Sequence, residues 1–390
     1  MRRVLRIFWW CFAAVVVSLA VALSAARLLL PAMSEYREQI ESVAQRLVQR
    51  PVEIGQLDAA WRGLSPVLRL KQVVIRDSRF PDGVLVVDEV QVGLDVIESA
   101  LHRKWLTAGL RLIGTRLAFS TDLTRVHPVS ELAELLGWLS VQESIALERV
   151  QLEWADPGLF NAPLRLSDVS LQLVNDGDRH QLLVEGGLFE PFGSRLKVAA
   201  DLRGSPREPY RLHGRVYLQG EGLNLQLADR WRDASGVAVA GRADIELWAG
   251  LRDGRFEWGS GSLALEQPRF VSASNTTHSF DAEQLTSAFR WQLAEGGWQV
   301  ELRDFGIQRD RREVWPAAEV RLMVETGERL RIRGRASRIV LQEVHAMLPL
   351  LPWMRADALV MVDRMQPSGQ LHDSEFEFVY LDAAAPVFSL

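Results

Sequence analysis

The chain has 390 residues and a formal net charge of −5 at pH 7, and this length allows two domains or one elongated unit. Without Arg2, Arg3 and Arg6 the remaining chain carries −5 − 3 = −8, so it offers no basic stripe for nucleic acid. The single cysteine, Cys11, excludes an intramolecular disulfide and a thiolate metal site in the folded part.

An uncharged apolar stretch near the N-terminus determines the expected topology. Residues 7–26 are apolar or small, and about twenty helical residues span the roughly 30 Å hydrocarbon layer of a membrane. Because arginines precede this stretch, the positive-inside rule predicts a cytoplasmic N-terminus and one crossing, with residues 1–31 as tip and anchor. A cleaved signal peptide is the alternative, because Ser24 and Ala26 precede Arg27 in a cleavage-site pattern.

The pattern of apolar residues then predicts one helix followed by strands. Apolar residues recur every three or four positions, with charges between them, at Met33, Tyr36, Ile40, Val43 and Leu47. This spacing predicts an amphipathic helix that ends before Pro51. From Val52 onward apolar and polar residues mostly alternate, which predicts a β-rich chain. Helical patterns interrupt the alternation at residues 96–105, 129–139, 223–231 and 341–351.

A repeated spacing is the most informative feature of the β-rich part. Apolar residues stand at offsets 0, 2, 5 and 7 in five copies, which begin at Leu68, Leu85, Ile145, Leu164 and Val300. A regular strand would place the third apolar residue at offset 4. We therefore expect a one-residue bulge at the intervening polar pair, such as Lys71 with Gln72, which restores one apolar face. Two shorter strands joined by a tight turn are the alternative.

These patterns predict a mainly β fold, in which a long, twisted antiparallel sheet forms a groove and a few short helices accompany it. Turns are expected at residues 175–178, 204–206 and 253–254. We expect no sharp domain boundary. A softer one separates a module at 32–156 from continuing repeats at 157–390, which are expected to be incomplete at their C-terminal end.

Residues with chemical potential do not form a recognisable site in the sequence. The seven histidines are scattered singly, without the spacing of metal ligands, and no nucleophile motif is present. Strand tryptophans such as Trp154, Trp248, Trp258, Trp291 and Trp298 could line a lipid path or fill a core, and core is the ordinary place for them. We therefore expect no enzyme, no cofactor and no metal.

Two stretches carry a resemblance to a known family. Residues 50–55, followed by Trp61 and residues 68–77, resemble the opening of AsmA-like proteins, specifically of the YhdP type. Residues 87–95, the helical pattern at 97–104 and residues 110–114 continue the same pattern, so the resemblance covers about residues 1–155. It implies an inner-membrane anchor and an apolar β-groove that carries phospholipid across the periplasm toward the outer membrane. It implies no catalytic residue.

The length of this chain departs from the resemblance. Chains of the YhdP type are several times longer, whereas some twenty strands spaced by about 4.8 Å reach only about 100 Å. We therefore do not expect this chain alone to bridge the whole envelope. A truncated gene, a fragment and the first part of a split system are the interpretations that remain open.

Taken with the resemblance, the one-sided strands predict a periplasmic lipid-transfer protein whose partners are phospholipid, the inner membrane and envelope proteins. A non-enzymatic scaffold with a dry β-sandwich core, which assists outer-membrane assembly, is the alternative. The residues expected to line the groove are the first four copies of the repeat together with Leu94 and Trp154, namely Leu68, Leu70, Val73, Ile75, Leu85, Val87, Val90, Val92, Leu94, Ile145, Leu147, Val150, Leu152, Trp154, Leu164, Leu166, Val169 and Leu171.

Overall fold

A computed structural model describes most of the chain after residue 36. The described residues are 37–48, 50–62, 65–76, 84–95, 106–120, 142–155, 163–205, 208–227, 236–272, 278–294, 296–325, 330–351, 354, 356–380 and 386–389. They contain eighteen strands and three α-helices. The prediction of a mainly β chain with a few short helices is confirmed for this part of the molecule.

The elements follow one another in the chain with short connections. The helices are α1 (Arg37–Val48), α2 (Leu341–Met347) and α3 (Ala356–Met365), and short 3-10 turns lie at Pro209–Arg211, Leu225–Leu227 and Leu348–Leu350. The strands are β1 (Val52–Arg62), β2 (Ser65–Arg76), β3 (Val84–Asp95), β4 (Leu106–Ser120), β5 (Ser144–Ala155), β6 (Leu164–Asp176), β7 (Arg179–Leu188), β8 (Arg195–Arg203), β9 (His213–Asn224), β10 (Val237–Arg252), β11 (Arg255–Ser272), β12 (Ser279–Asp281), β13 (Gln284–Ala294), β14 (Gly297–Arg309), β15 (Arg312–Glu325), β16 (Leu330–Val340), β17 (Gln370–Tyr380) and β18 (Pro386–Ser389).

The chain forms two compact units, and the division falls within β5. Unit 1 comprises residues 1–118 and 142–151, and unit 2 comprises residues 119–141 and 152–390. In unit 1, β1 to β4 pair antiparallel in chain order. In unit 2, strands from β6 onward also pair antiparallel in chain order, and both the three-residue β12 and β13 pair with β11.

All five copies of the repeated spacing lie in single strands, in β2, β3, β5, β6 and β14. The alternative of two short strands joined by a turn is therefore wrong. In four of the copies the residue at offset 4 has a left-handed backbone, with φ between 51° and 53° at Gln72, Arg149, Asp168 and Asp304. A left-handed residue turns the following part of the strand, so that the residues at offsets 2 and 5 share one face.

The predicted bulge is present in some copies only. The pairing of β6 with β7 shifts by one residue near Asp168, and the pairing of β13 with β14 shifts near Asp304. In contrast, the pairing of β2 with β1 and β3 runs past Gln72 without a shift. The neighbouring strands bend in the same row, so β2 carries no residue in excess of its neighbours. The bulge prediction is wrong at Gln72, where an in-phase kink replaces it.

The helix predictions have mixed outcomes. Helix α1 confirms the amphipathic helix from Arg37 onward, and α2 with its 3-10 turn confirms the pattern at residues 341–351. The helix predicted from Leu223 is wrong in its described part, because Leu223 and Asn224 continue β9 and only a 3-10 turn follows. Helix α3 was not predicted. The patterns at 96–105 and 129–139 lie outside the described residues.

Candidate functional site

The first apolar face of the molecule, called the unit 1 face here, is built from paired copies of the repeat. Leu68, Leu70, Val73 and Ile75 of β2 lie opposite Val92, Val90, Val87 and Leu85 of β3, respectively. Strand β1 continues the same rows, because Ile54 lies opposite Val73 and Leu57 lies opposite Leu70. The structure therefore brings the eight predicted residues of β2 and β3 together, since side chains two apart in a strand share a face.

Helix α1 covers part of the unit 1 face. Ile40 and Ala44 of α1 pack against a buried cluster that contains Ile54, Val73 and Val87. Val87 is only 1% exposed. The inner positions of the predicted lining are thus already shielded from water by the protein itself.

The remaining predicted lining residues differ in burial. Ile145 and Val150 of β5 and three residues of β6, Leu164, Leu166 and Val169, are buried. Leu147, Leu152, Trp154 and Leu171 are half-buried. Leu94 lies in β3 opposite Thr107, and the structure describes its backbone only.

A second apolar face, called the unit 2 face, runs through the later strands and contains residues that were not predicted as lining. Phe289 of β13 lies opposite Leu302 of β14, Trp291 opposite Val300, and Leu293 opposite Trp298. The next strand extends two of these rows, because Leu302 lies opposite Val320 and Val300 lies opposite Leu322. The alternation in residues 285–293 and the fifth repeat copy were the sequence signals that could have identified this face.

An apolar pocket of about 470 Å³ lies on the unit 2 face. Its lining is almost entirely apolar and consists of Leu263, Ser287, Phe289, Trp291, Leu293, Trp298, Val300 and Leu302. Leu293 is 60% exposed and Trp298 is 41% exposed, so water reaches the pocket from one side. A folded chain that leaves large apolar side chains clustered and accessible presents a surface for an apolar ligand or partner.

A glycine gives the pocket part of its depth. A Cβ atom at Gly259 of β11 would lie 2.2 Å from Nε1 of Trp291, so only glycine lets this indole lie across the neighbouring strand. The paired positions of Gly259 and Trp291 explain this contact. The Gly259-Ser260-Gly261 segment therefore serves strand packing, as expected from the lack of a following helix.

Further along the unit 2 face, α2 and the 3-10 turn after it close the surface. Val344, Met347 and Leu350 pack on a cluster that includes Ile307 and Trp315. Glu343 of α2 is only 7% exposed and forms an ion pair with Arg309, whose Nη2 lies 3.1 Å from Glu343 Oε2. Arg309 Nε also donates a hydrogen bond to the carbonyl of Asp281. The open part of the face is therefore the part around the pocket.

The opposite side of the unit 2 strands is polar and cross-linked by ion pairs. Arg179 Nη2 lies 2.6 Å from Asp201 Oδ2, and Lys197 Nζ lies 2.6 Å from Glu185 Oε1. The hydrogen bond from Arg179 lowers the pKa of Asp201, and the bond to Glu185 raises the pKa of Lys197. Such alternation of an apolar and a charged side is typical of a sheet with one face in water.

The expected core role is wrong for three of the tryptophans. Trp248 is 47% exposed and lies on the polar side, where it contacts Tyr217 at a ring distance of 4.4 Å. Trp258 is also exposed, and Trp298 lies at the mouth of the pocket. Alternation alone did not reveal which side of the strand these residues occupy, because large indoles occur on both faces. Trp315, in contrast, is a buried core residue.

Other functional features were sought in the part of the chain that the structure describes. No group of three or more His, Cys, Asp and Glu side chains there could hold a metal ion. No helix among these residues is long and apolar enough to cross a membrane. The predicted span at residues 7–26 lies outside the described residues.

Comparisons with known proteins extend the resemblance over almost the whole chain. The family described as "YhdP protein" matches residues 1–380. The intermembrane phospholipid transporter YhdP of Escherichia coli (strain K12) is 26% identical over 330 residues, which cover 83% of this chain and 25% of that protein. The match thus spans about a quarter of the length of this curated relative. The chain belongs to the YhdP family.

Proposed function

We propose that this protein is an inner-membrane-anchored periplasmic carrier that conducts phospholipid toward the outer membrane along its apolar faces. The observation that carries the proposal is the accessible pocket on the unit 2 face, with Leu293 60% exposed beside Trp291 and Trp298. The printed name of the Escherichia coli relative, an intermembrane phospholipid transporter, supports the same substrate class.

The physical basis is the removal of acyl chains from water. Each buried methylene stabilises a bound chain by about 0.8 kcal/mol, so a face several side chains long can hold part of an acyl chain. The mouth of the pocket is open, which allows a charged lipid headgroup to stay hydrated while the tail lies on Phe289, Trp291 and Val300. Neither step requires a catalytic group, and we propose a non-enzymatic carrier.

The anchor and direction of transport belong to the same proposal. The uncharged residues 7–26, preceded by three arginines, support an inner-membrane anchor with the rest of the chain in the periplasm. The resemblance to the YhdP type supports transport toward the outer membrane. Outer-membrane or periplasmic proteins are then the natural further partners of a chain that spans a quarter of its relative.

A scaffold with a dry β-sandwich core is the competing function. In a sandwich, the apolar faces of two sheets interlock and exclude water over a layer about 10 Å thick. The exposure of Leu293 and Trp298, which stand directly opposite each other in β13 and β14, argues against such a layer at this position. We therefore favour the lipid carrier.

The test replaces the most exposed side chain of the pocket by a charge. Because Leu293 is already 60% exposed, Leu293→Asp should change the stability of the protein by only about 0.5 kcal/mol or less. The carboxylate should nevertheless repel an acyl chain, since an unpaired charge against hydrocarbon costs at least several kcal/mol. We expect phospholipid that co-purifies with the full chain, measured by mass spectrometry, to fall at least about tenfold.

Gln292→Asp is the matched control, because Gln292 is exposed on the opposite side of the same strand. It should retain the lipid. Absence of phospholipid from the unaltered protein, or equal lipid loss in both variants, would reject the carrier and favour the scaffold.

A further inference from the structure

Helix α1 is held against the free edge of β1 by three side chains that lie four residues apart. Arg37 Nη1 donates a hydrogen bond to the carbonyl of Gly55 at 3.4 Å, and Gln45 Nε2 donates one to the carbonyl of Val52 at 3.2 Å. Between them, Glu41 Oε1 accepts a bond from the backbone N–H of Ile54 at 2.8 Å. Residues at this spacing lie on one face of a helix.

The dimensions of the two elements agree with this arrangement. From position 37 to 45 a helix rises about 12 Å, and from position 55 back to 52 a strand rises about 10 Å. The helix therefore runs along the edge strand in the opposite direction, and its side chains bond with backbone groups that would otherwise pair with another strand. This arrangement is a specific docking contact.

The same helix lies where the apolar face would otherwise be open. Ile40 and Ala44 stand one position before Glu41 and Gln45, and they pack on the cluster of Val52, Ile54 and Val73. Val73 is thereby buried, whereas the corresponding surface of unit 2 around Leu293 remains accessible. In unit 1, helix α1 occupies the place that an acyl chain would take.

The contact is modest enough to be reversible. Val43 of α1 is exposed, and the apolar contact with the cluster rests on Ile40 and Ala44. A twelve-residue helix has little stability of its own, so its docking depends on these contacts and on the three hydrogen bonds. A longer and more apolar ligand can compete for the same surface.

We propose that α1 is a displaceable lid, which covers the unit 1 face when it holds no lipid and is pushed aside by an entering acyl chain. The inference rests on the proposed carrier function. The predicted anchor ends at residue 26 and α1 begins at Arg37, so only ten residues separate the lid from the membrane. The lid therefore lies next to the donor membrane, at the place where lipid would enter.

The test removes the three docking side chains and measures access to the covered surface. The variant Arg37→Ala/Glu41→Ala/Gln45→Ala loses all three bonds to β1. The matched control, Glu38→Ala/Arg46→Ala, also removes one acidic and one basic residue, but these side chains are exposed, and Arg46 bonds only within the helix. Neither variant changes the net charge or replaces a residue of the apolar faces.

Two readouts separate the lid from the carrier function. With Cys11→Ser and Val73→Cys in the full chain, a maleimide should label Val73→Cys several-fold faster in the triple variant than in the control. A photo-crosslinking amino acid at position 73 should capture phospholipid several-fold more often in the triple variant. Capture at position 302, on the unit 2 face, should stay unchanged and reports that the protein is folded and loaded.

The outcomes are distinct. Equal labelling and equal capture at position 73 in the triple variant and the control, with capture at position 302 intact, would overturn the lid. Strong lipid capture at position 73 in the unaltered protein would also overturn it, since the helix would then not exclude lipid. Faster labelling without lipid capture at either position would support a movable helix and reject the carrier function.

Discussion

At the scale of single residues, the left-handed positions let a strand keep one apolar face over twelve or more residues. Asp168, at offset 4 of its repeat copy, is exposed and has φ of 51°. Asp and Asn tolerate this conformation because their short polar side chains can bond with the local backbone, whereas β-branched residues do not. In β4 a glycine, Gly114, adopts the same conformation with φ of 63°.

This requirement gives a prediction for stability. Asp168→Val should destabilise the protein by about 1–2 kcal/mol, because valine is strained at positive φ. A loss of 1 kcal/mol lowers the melting temperature of a unit of this size by about 2–4 °C, which thermal unfolding followed by circular dichroism can measure. Asp168→Asn should unfold at nearly the same temperature as the unaltered protein.

Gln172→Val is the control for the change to valine itself. Gln172 is exposed in the same strand and is not among its left-handed positions. It should be neutral or slightly stabilising, since valine favours strands. If Asp168→Val were as stable as Gln172→Val, the left-handed residue would not be needed for the shared apolar face.

At the scale of elements, the sequence predicted which strands are apolar on one side but not how neighbouring strands match. The repeat copies predicted the long strands β2, β3, β5, β6 and β14, and each was found. Whether a kink becomes a bulge depends on the partner strand, and the spacing within one strand contains no information about its partner. The pairing past Gln72 without a shift is the example.

Two other elements were not predictable for related reasons. Helix α3 contains the continuous run Leu359, Val360, Met361 and Val362 without the period of an amphipathic helix. The pocket on the unit 2 face combines residues of three strands whose neighbours become known only from the pairing. Helix α1 was predictable because its apolar and charged residues alternate with the helical period.

The polar side of β7 and β8 gives a prediction on pH. The bond from Arg179 lowers the pKa of Asp201 in the folded protein. A carboxylate with a lowered pKa contributes stability above its unfolded pKa, and this contribution is lost as the pH falls through the folded pKa. Asp201→Asn should therefore lower the melting temperature slightly at neutral pH, and the difference should vanish near about pH 2.

The same pair should respond to salt. Both side chains are more than 40% exposed, so ions screen their interaction and the effect of Asp201→Asn should shrink as salt is added. A difference that persisted unchanged at low pH or in high salt would show that Asp201 acts through packing and not through its charge.

At the scale of the whole molecule, the account depends on one property of the sheet strands, which is that one side is apolar and accessible while the other is charged. The YhdP family match covers residues 1–380, and the named relative is an intermembrane phospholipid transporter. Its length is about four times the matched part, since the match covers 25% of it. The lipid path proposed for this chain is accordingly one segment of the path that the longer relative can provide.

The most direct measurement is a photo-crosslinking scan along β14 in the full chain in phospholipid membranes. Val300 and Leu302 line the pocket of the unit 2 face, whereas Glu301 and Arg303 alternate with them and carry ion pairs on the other side. The account predicts phospholipid capture at positions 300 and 302 and little capture at positions 301 and 303. Equal capture at all four positions, or capture at none of them, would contradict a one-sided lipid path.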